Sequence, residues 1–352
     1  MGVSKGSGAM SDAERAEVSN TGRTSDAGAD AVGDMPSGAH RLVHLLAAVV
    51  VVVVLPAVVM GALVGSLGVS AVFVGLVLGV AGCKIGGTQR MLFVAPLVGV
   101  AAGLGAFTAY DWWWAALLAA TGLIAGAGIG FGWFAVLLMV PYAATFVTPV
   151  SSGRNAVVYG VVVALGILYG IVFARRFGAP PVIDGDHLSP PVTAVVAIVF
   201  GAILGGAASI GVALDWTEPY WVPEPILILV LYIIMGKRDR IGGKAIGTAL
   251  GVAAAIPVAL LDPPAGVLAV VGAVVFVVAL TQAKTYWLMY GLYTFSLILL
   301  LASPGQVGFE AEERGFQILL GVGILVVGLF IVHAIGDRLA KRDPQPRLAV
   351  AA

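Results

Sequence analysis

Residues 221–255 read WVPEPILILVLYIIMGKRDRIGGKAIGTALGVAAA, and the fold is decided by this stretch. It holds an apolar run, then a short loop in which Lys237, Arg238, Arg240 and Lys244 outnumber the single acid Asp239, then a second run rich in Gly and Ala. The pattern predicts two membrane-spanning helices joined on one side. Lys and Arg are retained on the cytoplasmic face of a bilayer, so the loop is expected inside and Trp221 outside.

Working outward, the same pattern fills the chain. Hydrophobic residues make up 60% and charged residues 11%, with a mean hydropathy of +1.03. A soluble domain carries about a quarter charged residues, so that class is excluded. Apolar runs of about 17–25 residues recur, the length a helix needs to cross about 30 Å of hydrocarbon. A spanning backbone must satisfy its own hydrogen bonds, which helices do. A membrane barrel needs alternating polarity, and runs such as Val49 to Leu55 do not alternate. The fold class expected is all-α, a polytopic transmembrane bundle of about twelve spans, placed at 42–64, 67–83, 91–109, 112–130, 133–150, 155–174, 192–214, 220–235, 244–261, 264–280, 285–302 and 314–335.

An even count puts both termini on one side, and charge tests it. Arg41, Lys84, Arg90, Arg175, Arg176, the Lys237–Lys244 cluster, Lys284, Arg338, Lys341, Arg342 and Arg347 fall on the side expected to be cytoplasmic. Arg154 and Arg314 alone are basic on the other, where Asp111, Asp215, Glu218, Glu224, Asp262, Glu310, Glu312 and Glu313 lie. That bias predicts a multi-pass protein of the inner, or cell, membrane with both termini cytoplasmic. Trp112 to Trp114, and Trp216 with Tyr220 and Trp221, fall at the expected outer boundary as an aromatic belt.

Residues 1–39, rich in Ser, Gly, Ala and Asp, are expected to form a disordered cytoplasmic tail with no cleaved leader. Residues 40–174 and 192–337 read as two six-helix repeats, joined by a cytoplasmic linker at 175–191 and followed by a tail at 338–352. The repeat shows in echoes: Ile85-Gly86-Gly87 with Ile241-Gly242-Gly243, Gly99-Val100-Ala101-Ala102 with Gly251-Val252-Ala253-Ala254, and Thr148-Pro149 with Ser303-Pro304. Copies of equal orientation are a transporter feature. The Gly pairs 61/65, 75/79, 99/103 and 247/251 are expected to pack helices, and they permit a homodimer without requiring one.

Catalytic signatures are missing. The near-match GKRDRIGGKAIGT lacks the spacing of a phosphate loop, and there is no HExxH or GxSxG. The single Cys83 excludes a multi-cysteine metal site and reads as a packing residue. Asp184, Asp186 and His187 in the linker read as solvated rather than metal-binding. No enzyme activity, cofactor, metal or nucleic-acid partner is expected.

The WVPEP segment, the basic loop running into Lys244-Ala245-Ile246-Gly247-Thr248-Ala249-Leu250-Gly251, the aromatic span from Tyr286, and Glu313-Arg314 followed by Gly321 together resemble the FUSC family of fusaric-acid-resistance-like proteins over about 192–340. Lys244 stands where the family pattern has Arg, and the chain is a compact form without the large soluble insertions of longer members. The resemblance implies efflux of small, often aromatic, organic acids. A passive anion channel and a non-transporting scaffold of an envelope complex stay open as alternatives.

Candidate substrate-path residues follow. Lys244 and Thr248 share a helix face at the expected inner end of their span, where an ammonium and a helix N-terminus suit a carboxylate, or simply anchor the helix. Lys284 precedes Tyr286, Tyr290 and Tyr293, whose i, i+4, i+7 spacing presents one phenolic face. That face suits an aromatic acid, or packing and an interfacial belt. Glu224, between Pro223 and Pro225, is the candidate for coupling, or else complements the helix dipole. Arg154 and Arg314 open the last span of each half and line an exit or pair with nearby acids. His44 and His333 read as buried and neutral.

Overall fold

The computed structural model describes residues 55–176, 188–234, 240–261, 263–282, 285–301 and 307–342. Among them every element is helical. In chain order these are α1 Leu55–Val64, α2 Ser66–Gly86, α3 Thr88–Thr108, α4 Trp112–Ala127, α5 Phe134–Leu137, α6 Met139–Thr145, α7 Gly153–Arg176, α8 Pro190–Ala213, α9 Pro223–Ile234, α10 Arg240–Leu261, α11 Ala265–Thr281, α12 Tyr286–Leu301 and α13 Val307–Arg342. Short 3-10 turns, Gly128–Phe131 and Pro219–Trp221, follow α4 and precede α9.

A helix lies within each of the twelve expected segments. Seven helical segments among the described residues are long and apolar enough to cross a membrane: Ser66–Gly86, Thr88–Thr108, Trp112–Phe131, Gly153–Arg176, Pro190–Ala213, Arg240–Leu261 and Val307–Gly336. Five more are apolar but shorter.

Two of those five depart from expectation because of proline. The segment 133–150 is not one helix: α6 ends at Thr145 and residues 146–152 leave the helix. Pro141 removes a backbone donor, and Pro149 biases Thr148 away from helical geometry. The segment 220–235 yields only the 12 residues of α9, ~18 Å of helix. Pro219, Pro223 and Pro225 are tolerated in a first turn but not in a helix interior, so α9 starts late. Glu218 and Glu224 are left on either side of this break.

Local signals set the turns. Asp111 caps α4, its Oδ1 accepting from the Trp114 amide at 3.0 Å. Gly87 alone joins α2 to α3, with φ of 86°, and Gly132 ends the first 3-10 turn with φ of 67°. Both need the left-handed region that glycine enters without a Cβ penalty. Arg90 Nη1 donates to the Gly132 carbonyl at 3.0 Å, tying the start of α3 to that turn.

The helices pack through small residues. α2 lies along α7, α3 along α7 and α6, and α4 along α8; α10 lies along α12 and α13, and α11 along α12. A Cβ on Gly79 would stand 2.5 Å from the Ile167 carbonyl oxygen, and one on Gly103 2.7 Å from that of Ala156, so backbones meet there directly. Gly61/Gly65 does not behave this way: Gly65 sits in a turn with no atom near its missing Cβ. The Gly99 and Gly251 echoes also differ, since Gly99 meets Gly160 on α7 whereas Gly251 meets Gly291 on α12.

The larger core gathers Met91, Trp114, Leu118, Tyr159, Leu204 and Leu227, with Cys83 buried in it. A second cluster holds Ala255, Leu268, Ile298, Leu299, Val307 and Ala311. Around them Leu260, Leu261, Phe93 and Phe330 are each more than seven-tenths exposed, with many other apolar side chains. A surface apolar to this extent belongs in lipid. The chain is a multi-pass membrane protein.

Three aromatic and polar assignments change. Trp112 and Trp113 are exposed as a belt requires, but Trp114 is fully buried and its Nε1 donates to the Ala144 carbonyl at 2.8 Å. Trp221 is likewise buried. His333 is exposed on α13 instead of buried. The expectations for the tail at 1–39, His44, most of the linker with Asp184, Asp186 and His187, and the residues after 342 lie outside the described residues.

Candidate functional site

The proline break before α9 and the basic start of α10 meet at Lys244. Its side chain is 1% exposed, and Nζ donates to Glu224 Oε2 at 2.7 Å, to Oε1 at 2.9 Å and to the Tyr290 hydroxyl at 3.2 Å. The ammonium also lies 4.4 Å from the centre of the Tyr290 ring. Glu224 therefore grips the cation with both oxygens, and an aromatic ring closes one side of it. Lys244 is enclosed by its own chain's carboxylate rather than open to an incoming one.

Glycine makes this proximity available. On α10, Gly247 and Gly251 face the backbone of α12 at Trp287 and Gly291, so the two helices approach with no side chain between them. That contact presses Tyr290 onto Lys244. Thr248 shares the Lys244 face and is completely buried; its Oγ1 has no hydrogen-bond partner among the described residues.

The expected phenolic face exists and extends further than the spacing indicated. Tyr286 and Tyr290 lie 4.9 Å apart by ring centroid, and Tyr290 and Tyr293 5.9 Å. Tyr232 of α9 meets Tyr286 edge-on at 5.2 Å, and the Arg240 guanidinium covers the Tyr286 ring at 4.2 Å. Lys284, expected beside this face, lies outside the described residues.

A second ion pair stands along the same helix. Arg314 of α13 is buried; Nη2 donates to Glu218 Oε2 at 3.0 Å and Nη1 to the Leu297 carbonyl at 3.1 Å. Trp221 Nε1 donates to that same Glu218 oxygen at 2.8 Å, and the guanidinium carbon lies 5.5 Å from the Trp221 ring centre. Glu313, its chain neighbour, instead accepts from Gln317 at 2.8 Å. Adjacent helical positions point to different faces, so Arg314 takes its partner from across the bundle. Tyr110 and Tyr220 stack beside this pair at 6.1 Å. Burial, and then the Glu218 charge, push the Tyr110 phenol above its ordinary value.

The two pairs are linked. Tyr290 touches the first and Leu297 the second, seven positions apart on α12 and hence ~10 Å along its axis. Between them a cavity of about 10 Å³ is lined by Trp221, Glu224, Lys244, Tyr290, Tyr293, Thr294, Leu297, Arg314 and Ile318. That is about the room one water occupies. A larger cavity of about 490 Å³ lies between α5 with the turn before it, α8, α9 and α13, walled by Phe134, Phe200, Ile203, Val230, Leu325 and other apolar groups. It has no charged lining residue and shares none with the small one.

Of the residues picked out in sequence, Glu224, Lys244, Tyr290, Tyr293 and Arg314 line one cavity, with Thr248 and Tyr286 adjoining in the same helices. Arg154 is not brought there; it is exposed at the start of α7. Glu218, Trp221, Tyr232 and Arg240 were missed as site residues. The available signal was the run of prolines at 219, 223 and 225: a broken apolar helix flanked by carboxylates places them where backbone is irregular.

All of these groups except Arg154 fall in the stretch that the comparisons recognise. Residues 204–328 match the family model described as fusaric acid resistance protein-like. No curated protein and no solved structure matches the chain. Over that stretch, which runs from α8 into α13 and contains both ion pairs, the chain is similar to the fusaric acid resistance protein-like family.

Proposed function

We propose that the protein is a secondary transporter that exports small organic acids, aromatic carboxylates among them, across the inner membrane. One observation carries the proposal: a fully buried lysine, ringed by tyrosines, already holds a carboxylate. The Glu224 carboxylate occupies the position that a substrate carboxylate would take, and Tyr290 and Tyr293 offer flat faces for an aromatic body. Arg314, ~10 Å further along α12, is a second cationic station on the same line. Buried ion pairs contribute little net stability against apolar replacements, so keeping two of them in a membrane bundle points to use rather than to scaffolding.

The closed state favours a carrier over a channel. A continuous anion pore needs water along its length, whereas the stations are joined by a cavity of about 10 Å³. In this reading both termini are cytoplasmic, twelve segments cross the bilayer, and the halves are repeats. The pairings of second with sixth, third with fifth and third with sixth helical segments recur in both halves, which supports that organisation.

The test is reconstitution of the purified chain in liposomes and uptake of a labelled hydroxybenzoate. Saturable flux is expected, lowered by Lys244→Ala without loss of protein from the membrane. Benzoate-like acids are expected to compete, less well after Tyr290→Ala. Unchanged flux in Lys244→Ala removes Lys244 from the path. Voltage-driven current would replace the carrier by a channel, and absence of flux with stable co-purification of a partner would favour a scaffold.

A further inference from the structure

The Lys244–Glu224 pair has a consequence for what travels with the substrate. Lys244 and Glu224 are 1% and 3% exposed in their side chains, and together they are neutral. The pair's closest neighbours are also uncharged: Tyr286, Tyr290 and Tyr293 on α12, Tyr142 on α6, and Tyr232 on α9 itself. The next cation lining the cavity is Arg314, and Glu218 already holds it. Arg240, one turn before Lys244 on α10, lies over the Tyr286 and Tyr232 rings but does not line the cavity, so among the described residues that line it no cation is left to balance a second anion at Lys244.

Consider a carboxylate arriving there. The Lys244 N–H groups turn from the Glu224 oxygens to the incoming ones. If Glu224 stays ionised, the enclosed site holds two negative charges and one positive. A lone buried charge of that kind is not sustained; the group takes a proton instead. Glu224 is the group placed to take it, because it has just lost the donors that stabilised its charge.

We infer that a carboxylate binds Lys244 together with one proton, which goes to Glu224, so that each turnover carries one carboxylate and one proton in the same direction without net charge. The balance closes at both ends. Lys⁺ and Glu⁻ become Lys⁺, substrate carboxylate and protonated Glu. On release the proton leaves to water and Glu224 closes on Lys244 again. Export then runs on the outward gradient of the acid itself, and an inward proton gradient opposes it. This inference rests on the exporter reading and adds its coupling.

The test uses the full-length chain with 4-hydroxybenzoate and, as a probe that stays ionised at every working pH, benzenesulfonate. Binding to wild type is measured between pH 5.5 and 8.5, and flux into liposomes with and without an imposed potential. The expected result is an affinity that weakens by up to tenfold per pH unit for both probes, the slope of one linked proton, and flux that ignores potential. On binding benzenesulfonate, which brings no carboxyl of its own, an infrared difference spectrum of wild type should show the carbonyl band of one newly protonated carboxyl, and Glu224→Gln should lack it. A pH-independent affinity of wild type for benzenesulfonate overturns the coupling, as does wild-type flux that follows potential; neither result needs the variant to fold. A band that survives in Glu224→Gln also overturns it, because the proton would then reside elsewhere. Absence of binding by either probe at any pH overturns the exporter reading and this inference with it.

Discussion

Removing one partner of the Lys244–Glu224 pair should destabilise the protein more than removing both. Lys244→Met leaves the Glu224 carboxylate enclosed without its donors, and Glu224→Gln leaves Lys244 without its charged acceptor. The two side chains are 1% and 3% exposed, so water has no access to replace the lost contacts. Each single variant should lose ~3–5 kcal/mol, the cost of removing one partner of a buried ion pair. The double variant Glu224→Leu/Lys244→Met leaves no charge to compensate and should regain most of the loss. Reversible unfolding of all three in mixed micelles at pH 7 closes the cycle. A double variant no more stable than the single ones, or single losses under about 1 kcal/mol, would refute the enclosure of this pair.

Three further outcomes follow from the packing and the second pair. Gly251→Ala places a Cβ 2.5 Å from the Gly291 carbonyl oxygen and 2.9 Å from Thr294 Cβ, which should destabilise by about 1–3 kcal/mol; Gly323→Ala meets no atom within 4 Å and serves as the control in the same unfolding assay. Trp114→Phe strands the buried Ala144 carbonyl and should lose about 1–3 kcal/mol, while Trp113→Phe, exposed, should stay within about 0.5 kcal/mol. Arg314→Gln removes a charged hydrogen bond worth about 1.5–3 kcal/mol, so carboxylate flux should fall about tenfold or more with the protein still in the membrane. Flux equal to wild type would take Arg314 off the path.

The membrane class and the positions of the helices could be read from residues alone, because apolar length and internal hydrogen bonding are properties of a segment by itself. Lys244, Glu224, Tyr290 and Arg314 could be singled out one at a time for a related reason: an ionisable or phenolic group in an apolar run stands out against its neighbours. Their partners could not. Glu224 lies 20 positions from Lys244 and Glu218 96 from Arg314, and hydropathy contains nothing about which helices touch. Lys244 looked like an interfacial anchor until the glycine contact of α10 with α12 enclosed it. Trp221 looked like a belt residue until the late start of α9 turned it inward. The sequence by itself determined a bundle of apolar helices and the cast of polar groups within it. Only the tertiary structure decided that those groups form two neutral pairs about 10 Å apart along one helix, because pairing depends on close backbone approach between segments far apart in the chain.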